Sequence, residues 1–158
     1  TQGTRVVKVV KKEIIIDGDD STDVIIDLVR VCKNNVQYIL THTITFAGFN
    51  IADIEKIYQK LKIPVIAFTE RMVNLEKVKK AIIKKFPNRY VKKINRIFKA
   101  GNLYETKIKT HGGFSTIYFH SIGLAPEKVN ILMKKVCIDS KLPESVRIAH
   151  LIGASFEI

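Results

Sequence analysis

Val and Ile alternate with Lys over residues 5–16 (RVVKVVKKEIII), a pattern that predicts a β-strand with lysines marking an exposed edge. A turn-like acidic stretch follows, IDGDDSTD over residues 16–23, where Ser21 or Thr22 can cap a helix with Val24, Ile25, Leu28 and Val29 on its apolar face. Residues 36–40 predict a second strand, running into Thr41, His42 and Thr43. The segment TFAGFN then leads to a helix from Asn50, with Ile51, Ile54, Ile57 and Leu61 along one side. Residues 63–68 predict a third, wholly apolar strand. Strands that alternate with helices in this way predict right-handed parallel crossovers and an α/β sheet covered on both faces.

The middle of the chain changes character. Residues 74–86 and 87–100 read as two helices, the second opening on Pro87 and closing at Gly101. Residues 103–108 and 116–121 read as two strands around the His111-Gly112-Gly113 turn, a hairpin added to the sheet. Pro126 opens a helix with Val129, Leu132, Met133 and Val136 spaced for one buried face. Pro143 opens another, with Val146, Ala149, Ile152 and Phe156 turned inward. No internal repeat, low-complexity tract or linker interrupts the pattern, so a single domain is expected. The chain opens on Thr1 and stops at Ile158 within an apolar helical pattern, ends that suggest a piece of a longer protein.

Charge adds a partner to this picture. The 158 residues carry 27 Lys+Arg against 15 Asp+Glu, a net charge of +12. Residues 71–109 alone hold 13 Lys+Arg against 2 Asp+Glu, almost the whole excess. Tyr90 and Tyr104 are interleaved with this segment, and Lys79, Lys80, Lys84, Lys85, Lys92, Lys93 and Arg96 make a basic face on two successive helices. Such a face can be a solvated surface, but the lack of acidic residues to neutralise it favours contact with a phosphate backbone. No apolar run is long enough to span a bilayer and no signal peptide opens the chain, so a cytoplasmic protein with no membrane partner is expected. Cys32 and Cys137 lie far apart, each at an apolar-periodic helical position, and are expected to be reduced and buried.

The strong short motifs of nucleotide binding, serine hydrolysis and zinc chemistry are missing from the sequence. What remains is a constellation at predicted strand ends, where open α/β sheets bind their ligands. Asp17, Asp19, Asp20 and Asp23 follow the first strand, His42 with Thr41, Thr43 and Thr45 follows the second, and Thr69, Glu70 and Arg71 follow the third. Converging carboxylates are what Mg²⁺ requires. By spacing alone the plainer reading of the acidic stretch is a solvated turn, whose Asp side chains cap the helix and offset its dipole. His42 has a similar plain reading as a hydrogen-bonded structural residue, and the glycine of FAGFN suits either a helix-entry turn or close approach to a ligand.

The blocks IDGDDSTD (16–23), TITFAGFNIADI (43–54), IPVIAF (63–68), IGLAPEKV (122–129) and LPESVRIAHLIGA (142–154) together resemble an archaeal family of uncharacterised proteins labelled endonuclease dU. That family is a distant relative of endonuclease V. The resemblance implies a ribonuclease-H-like α/β fold, a mixed sheet flanked by helices. It also implies a metal-dependent phosphodiesterase that cuts nucleic acid, DNA before RNA, near a modified base such as deoxyuridine or deoxyinosine. Asp17 and Asp20 match the family's acidic turn, with Asp23 where the family carries Asp or Glu. Phe46, Ala47, Gly48, Phe49, Asn50 and Asp53 match as well, as do Arg147, Ala149 and His150 of the last helix.

On this resemblance Asp17 and Asp20 would hold Mg²⁺ or Mn²⁺, and Asp17, Asp20, Asp23 and His42 would carry the chemistry. The basic helices and the FAGFN loop, with Phe46, Gly48 and Asn50, would meet the nucleic acid. Two departures change the expectation. Relatives usually begin with about two further strands, and the family's Asp before ITFAGFN is His42 here, a poor ligand for Mg²⁺. A non-catalytic nucleic-acid-binding protein on the same scaffold is therefore the alternative. A third is a homo-oligomer joined through an exposed strand edge.

Overall fold

The computed structural model describes residues 1–3, 5–32 and 36–156. Its twelve elements run α1 (Ser21–Cys32), β1 (Ile39–His42), β2 (Thr45–Phe46), β3 (Asn50–Ile51), α2 (Ile54–Leu61), β4 (Val65–Thr69), α3 (Leu75–Lys85), α4 (Tyr90–Lys99), β5 (Tyr104–Thr110), β6 (Gly113–Ile122), α5 (Pro126–Val136) and α6 (Glu144–Ala154). The main sheet has the order β1-β4-β6-β5, and β2-β3 form a small separate hairpin. β1 and β4 are parallel, with Ile39 opposite Val65, as expected of a pair joined through the crossover helix α2. β6 runs antiparallel to both β4 and β5. The fold is thus α/β, a mixed sheet flanked by helices.

Alternation along the central strands builds two cores, one on each face. Val65 and Ala67 of β4 face Ile25, Ile26, Ile57, Ile82 and Ile97, so α1 to α4 cover that side. Ile66 and Phe68 face the other way, against Ile117, Phe119, Val129 and Met133, so α5 covers the opposite side. A strand buried on both faces has to be apolar throughout, which is why residues 65–68 carry no polar side chain. Among the described residues no helix is long and apolar enough to cross a membrane.

Several expected elements end elsewhere. Residues 6–15 form no strand: Val6, Val7, Val9 and Ile15 are exposed, and the segment is tied along α1 by Lys8 Nζ on the Val31 carbonyl and Lys12 Nζ on Asp27. Alternation makes a chain competent to be a strand, but only a neighbouring backbone makes it one. The helix expected from Asn50 starts at Ile54, because Asp53 caps it by accepting from Lys56 N at 2.8 Å. Ile51 instead pairs with Thr45 in the small hairpin. α4 starts at Tyr90, after a turn at 87–89. The β5–β6 hairpin extends to Thr110 opposite Gly113, longer than the alternation indicated. Of the α6 positions expected inside only Val146 is buried, while Ala149 and Phe156 are exposed.

Candidate site at the acidic turn and the basic helices

Acidic turn and basic helices, 70 residues apart in sequence, meet in one site. Lys93 comes from the middle of α4, on the same stripe as Ile97 and Ala100, and is fully buried. Its ammonium donates to the carbonyls of Gly18 at 2.7 Å, Phe49 at 2.8 Å and Asp17 at 3.2 Å, and lies 3.3 Å from Asp19 Oδ1. Arg96, one turn on, donates to the Ile51 carbonyl at 2.7 Å and the Asp19 carbonyl at 3.2 Å, and meets Asp19 Oδ1 at 3.3 Å. Two cations of α4 thus staple the acidic turn to the FAGFN loop.

The remaining carboxylates are held as closely. Asp17 Oδ1 accepts from Phe49 N at 2.9 Å and Oδ2 pairs with Lys85 of α3 at 2.5 Å. Asp20 Oδ1 accepts from Asn50 Nδ2 at 2.5 Å and Oδ2 from Ile15 N at 3.2 Å. The Lys85 hydrogen bond and then the Phe49 N–H hold the Asp17 carboxyl below its ordinary range. Burial pushes Asp19 up, but the hydrogen bond from Lys93 and the charges of Lys93, Lys92 and Arg96 together outweigh it and leave the carboxyl lowered. Asp20 is likewise lowered, burial being outweighed by the bonds from Asn50 and Ile15.

Backbone strain collects at the same place. Asp17 (φ 55°) and Ala47 (φ 39°) are non-glycine residues in the left-handed region, and Asp17 N donates to the Ala47 carbonyl at 2.8 Å. Each such residue costs roughly 1–3 kcal/mol and persists only where its surroundings over-determine it. Gly48 (φ 79°) sits so close to Asp17 that a Cβ there would lie 2.5 Å from Asp17 Oδ1. Its glycine is therefore demanded by the Asp17 contact.

These positions correct part of the expected nucleic-acid set. Lys93 is sealed from solvent, and Arg96 is nearly so, both spent on internal oxygens, so neither can offer itself to a phosphate. Asn50 is also fully buried, donating to Ile15 O and Asp20 and accepting from Ser21 N, so it fixes the turn and cannot read a base. Phe46 is half-buried against the core beneath α1 and α2. Lys80, Lys84, Lys85 and Lys92 are exposed; Lys79 is half-buried, pairs with Glu76 and lies over the Phe98 ring at 4.8 Å.

The expected metal ligands do not converge. Asp23 points to Lys56 at 2.9 Å, Glu70 pairs with Lys141 at 2.8 Å, and His42 ends β1 exposed. Among the described residues no three His, Cys, Asp or Glu side chains form a group that could hold a metal ion. Every oxygen of Asp17 and Asp20 already has a donor, and Lys85 adds a positive charge at Asp17. The donor set as folded does not fit Mg²⁺ or Mn²⁺, which need free carboxylate oxygens. Arg147, from the matching last helix, is spent on Glu144 at 2.7 Å. Asp53 caps α2 and faces Lys99 at 3.6 Å across a groove of about 740 Å³ lined also by Asp19, Arg89 and Lys92. Sequence reading missed the stapling role of Asp19, although Lys93, Ile97 and Ala100 at helical spacing put Lys93 on the buried stripe.

Comparison with known proteins places the chain. It is 39% identical over 147 residues to a UPF0215 protein of Nanoarchaeum equitans, covering 92% of this chain and 70% of that one. A crystal structure of a protein of unknown function from Archaeoglobus fulgidus superposes with a TM-score of 0.83 at 31% identity, covering 98% of this chain and 85% of that one. Endonuclease V of Ciona intestinalis, solved with a DNA containing an inosine, is similar at a TM-score of 0.49 and 14% identity, covering 82% of this chain and 59% of that one. Residues 1–157 match the endonuclease dU family, and the chain belongs to it.

Proposed function

We propose that this endonuclease-like protein grips the phosphate backbone of nucleic acid along the outer faces of α3 and α4, and that the acidic turn serves the fold as a structural staple. One observation carries the reading. Lys80, Lys84 and Arg89 are exposed and, among the described residues, have no carboxylate in ion-pair range, while the other basic side chains of α4 are spent on the protein itself. Unpaired surface cations on two adjacent helices release counterions when they meet a polyanion, which drives sequence-blind binding. Fluorescence anisotropy with a labelled duplex and a matched single strand tests this. Replacing Lys80 and Lys84 together by Gln should weaken both and flatten their salt dependence; unchanged affinity and slope would refute it.

Family membership favours a second reading, hydrolysis of the backbone beside a modified base. Incubation with deoxyuridine- and deoxyinosine-containing DNA in Mg²⁺ or Mn²⁺ separates the two. Binding without scission is the expected result; strand scission by the wild-type chain would establish the second reading instead. Should scission occur, Asp17→Asn with Asp20→Asn decides whether those carboxylates serve it.

A further inference from the structure

The face of the main sheet that α3 and α4 cover continues uncovered beyond them. In the antiparallel register His120 stands opposite Ala67, beneath α4, and its Nδ1 lies 3.1 Å from the Asn102 carbonyl just after that helix. Alternation puts Tyr118, Thr116 and Phe114 on the same face as His120, with Lys107 opposite Thr116 and Lys109 opposite Phe114. The other face of the hairpin is occupied, since Ile108, Ile117 and Phe119 are buried against Val129 and Met133. Glu105, opposite Tyr118, is the one carboxylate on these two strands of the open face, at the end away from Phe114. Phe114 is 79% exposed, more than any other large hydrophobic side chain described, and Lys109 Nζ stands 5.8 Å from its ring. Lys107 and Lys109 are exposed and, among the described residues, have no carboxylate in ion-pair range.

We infer that this hairpin face is a stacking platform for unpaired bases of a nucleic acid strand whose backbone follows the basic helices. The reading rests on the proposed function and extends it from backbone to bases. A bare aromatic ring normally costs solubility, and here Lys109 stands beside it with Lys107 next along the strand. That is the composition of surfaces that stack single-stranded bases while neutralising the phosphates between them. Oligomer contact through the same ring would have to bury Lys107 and Lys109 beside their own copies, which their charge opposes. Duplex bases present no free face, so the platform discriminates single strands.

The test uses the full chain and a fluorescein-labelled oligothymidylate, with a mixed-sequence duplex of equal length beside it. Phe114→Ala should weaken the single strand about tenfold, with duplex affinity and the single-strand salt slope unchanged. Phe114→Tyr should retain wild-type affinity, since a tyrosine stacks as well. Lys109→Gln should weaken both ligands and lower the single-strand slope by roughly 0.7. If Phe114→Ala leaves single-strand affinity within twofold while the Lys80 and Lys84 double variant weakens it, the platform fails and the backbone grip stands. If wild-type protein binds neither ligand, both fail. Light scattering that shows a wild-type oligomer dispersed by Phe114→Ala would assign the ring to a second copy and overturn the inference. Phe114 is solvent-facing, so these variants fold, and a thermal melt confirms it.

Discussion

Helices α3 and α4 follow one another and read alike, lysine-rich with a few Ile and Phe between the charges, yet the fold uses them in opposite directions. On α4, Lys93 and Arg96 turn inward and bind carbonyl oxygens of the acidic turn and FAGFN loop, and Lys99 reaches Asp53 and Glu55. On α3 only Ile82 is buried; Lys77, Lys80 and Lys84 stand outside, Lys79 is half-buried beside Glu76 and Phe98, and Lys85 is tied to Asp17. The same side-chain type is an internal counterion on one helix and a surface cation on the next. What separates them is geometry: Lys93 shares a stripe with Ile97, so whatever buries Ile97 must also bury an ammonium, and only a cage of oxygens makes that tolerable.

Removing each kind of cation should separate the helices cleanly. Lys93→Met leaves the Gly18 and Phe49 carbonyls without their donor and Asp19 with Arg96 as its one remaining buried partner, and should cost about 3–5 kcal/mol. That corresponds to a melting temperature lower by of order 10 °C for a chain of this size. Lys84→Met should move stability by no more than about 0.5 kcal/mol. Equal effects in calorimetry would erase the distinction.

Binding should show the reverse order. Lys80→Gln with Lys84→Gln should lower the log–log salt slope on duplex DNA by roughly 1.8, at about 0.9 per lost contact, and leave the thermal midpoint where it was. Salt titrations of affinity at neutral pH measure both slopes directly.

Acid should act on the acidic turn, whose carboxylates are tied to α4 through Asp19 and to α3 through Asp17. Asp17, Asp19 and Asp20 all titrate below their ordinary value of 3.8 in the folded chain. The unfolded chain therefore binds protons more readily, so the stability from these carboxylates is complete above that range and drains as pH falls through the lowered folded values. Urea denaturation at neutral pH and near pH 3 should show the loss, and Asp19→Asn should lose less on acidification. Lys80 and Lys84 have no carboxylate in ion-pair range among the described residues, so their double variant should follow the wild-type profile.

The smallest effect concerns the other core. Burial, then the charge of Glu144, pushes the Cys137 thiol up to about 12, so a thiol reagent at pH 8 should label it slowly in the native state. Cys32, expected to be buried, is half-exposed at the end of α1 and should react faster. Mass spectrometry of briefly labelled protein resolves the two sites. Parallel labelling of both would mean that the α5 face opens as readily as the α1 face.

Much of the architecture was legible in the chain because it depends on local chemistry. Pro126 at a helix start, the apolar run at residues 65–68 and the glycines at the hairpin turn each act within a few residues, so periodicity and turn chemistry reveal them. The family blocks were legible for a similar reason, as contiguous words. Composition likewise determined that residues 71–109 are strongly basic. It could not determine which lysines face water, because that depends on a turn 74–76 residues earlier offering carbonyls and Asp19 to α4. Residues 6–15 show the same limit from the other side, since their alternation suits a strand but no described strand lies against them. Asp17 and Asp20 carry the right groups for a metal, and only the tertiary structure brought Lys85, Phe49 N, Asn50 and Ile15 N onto their oxygens. Residue type and periodicity set what a side chain can do and which stripe it joins; long-range hydrogen bonds, which no local pattern encodes, decide which of those capacities remains free.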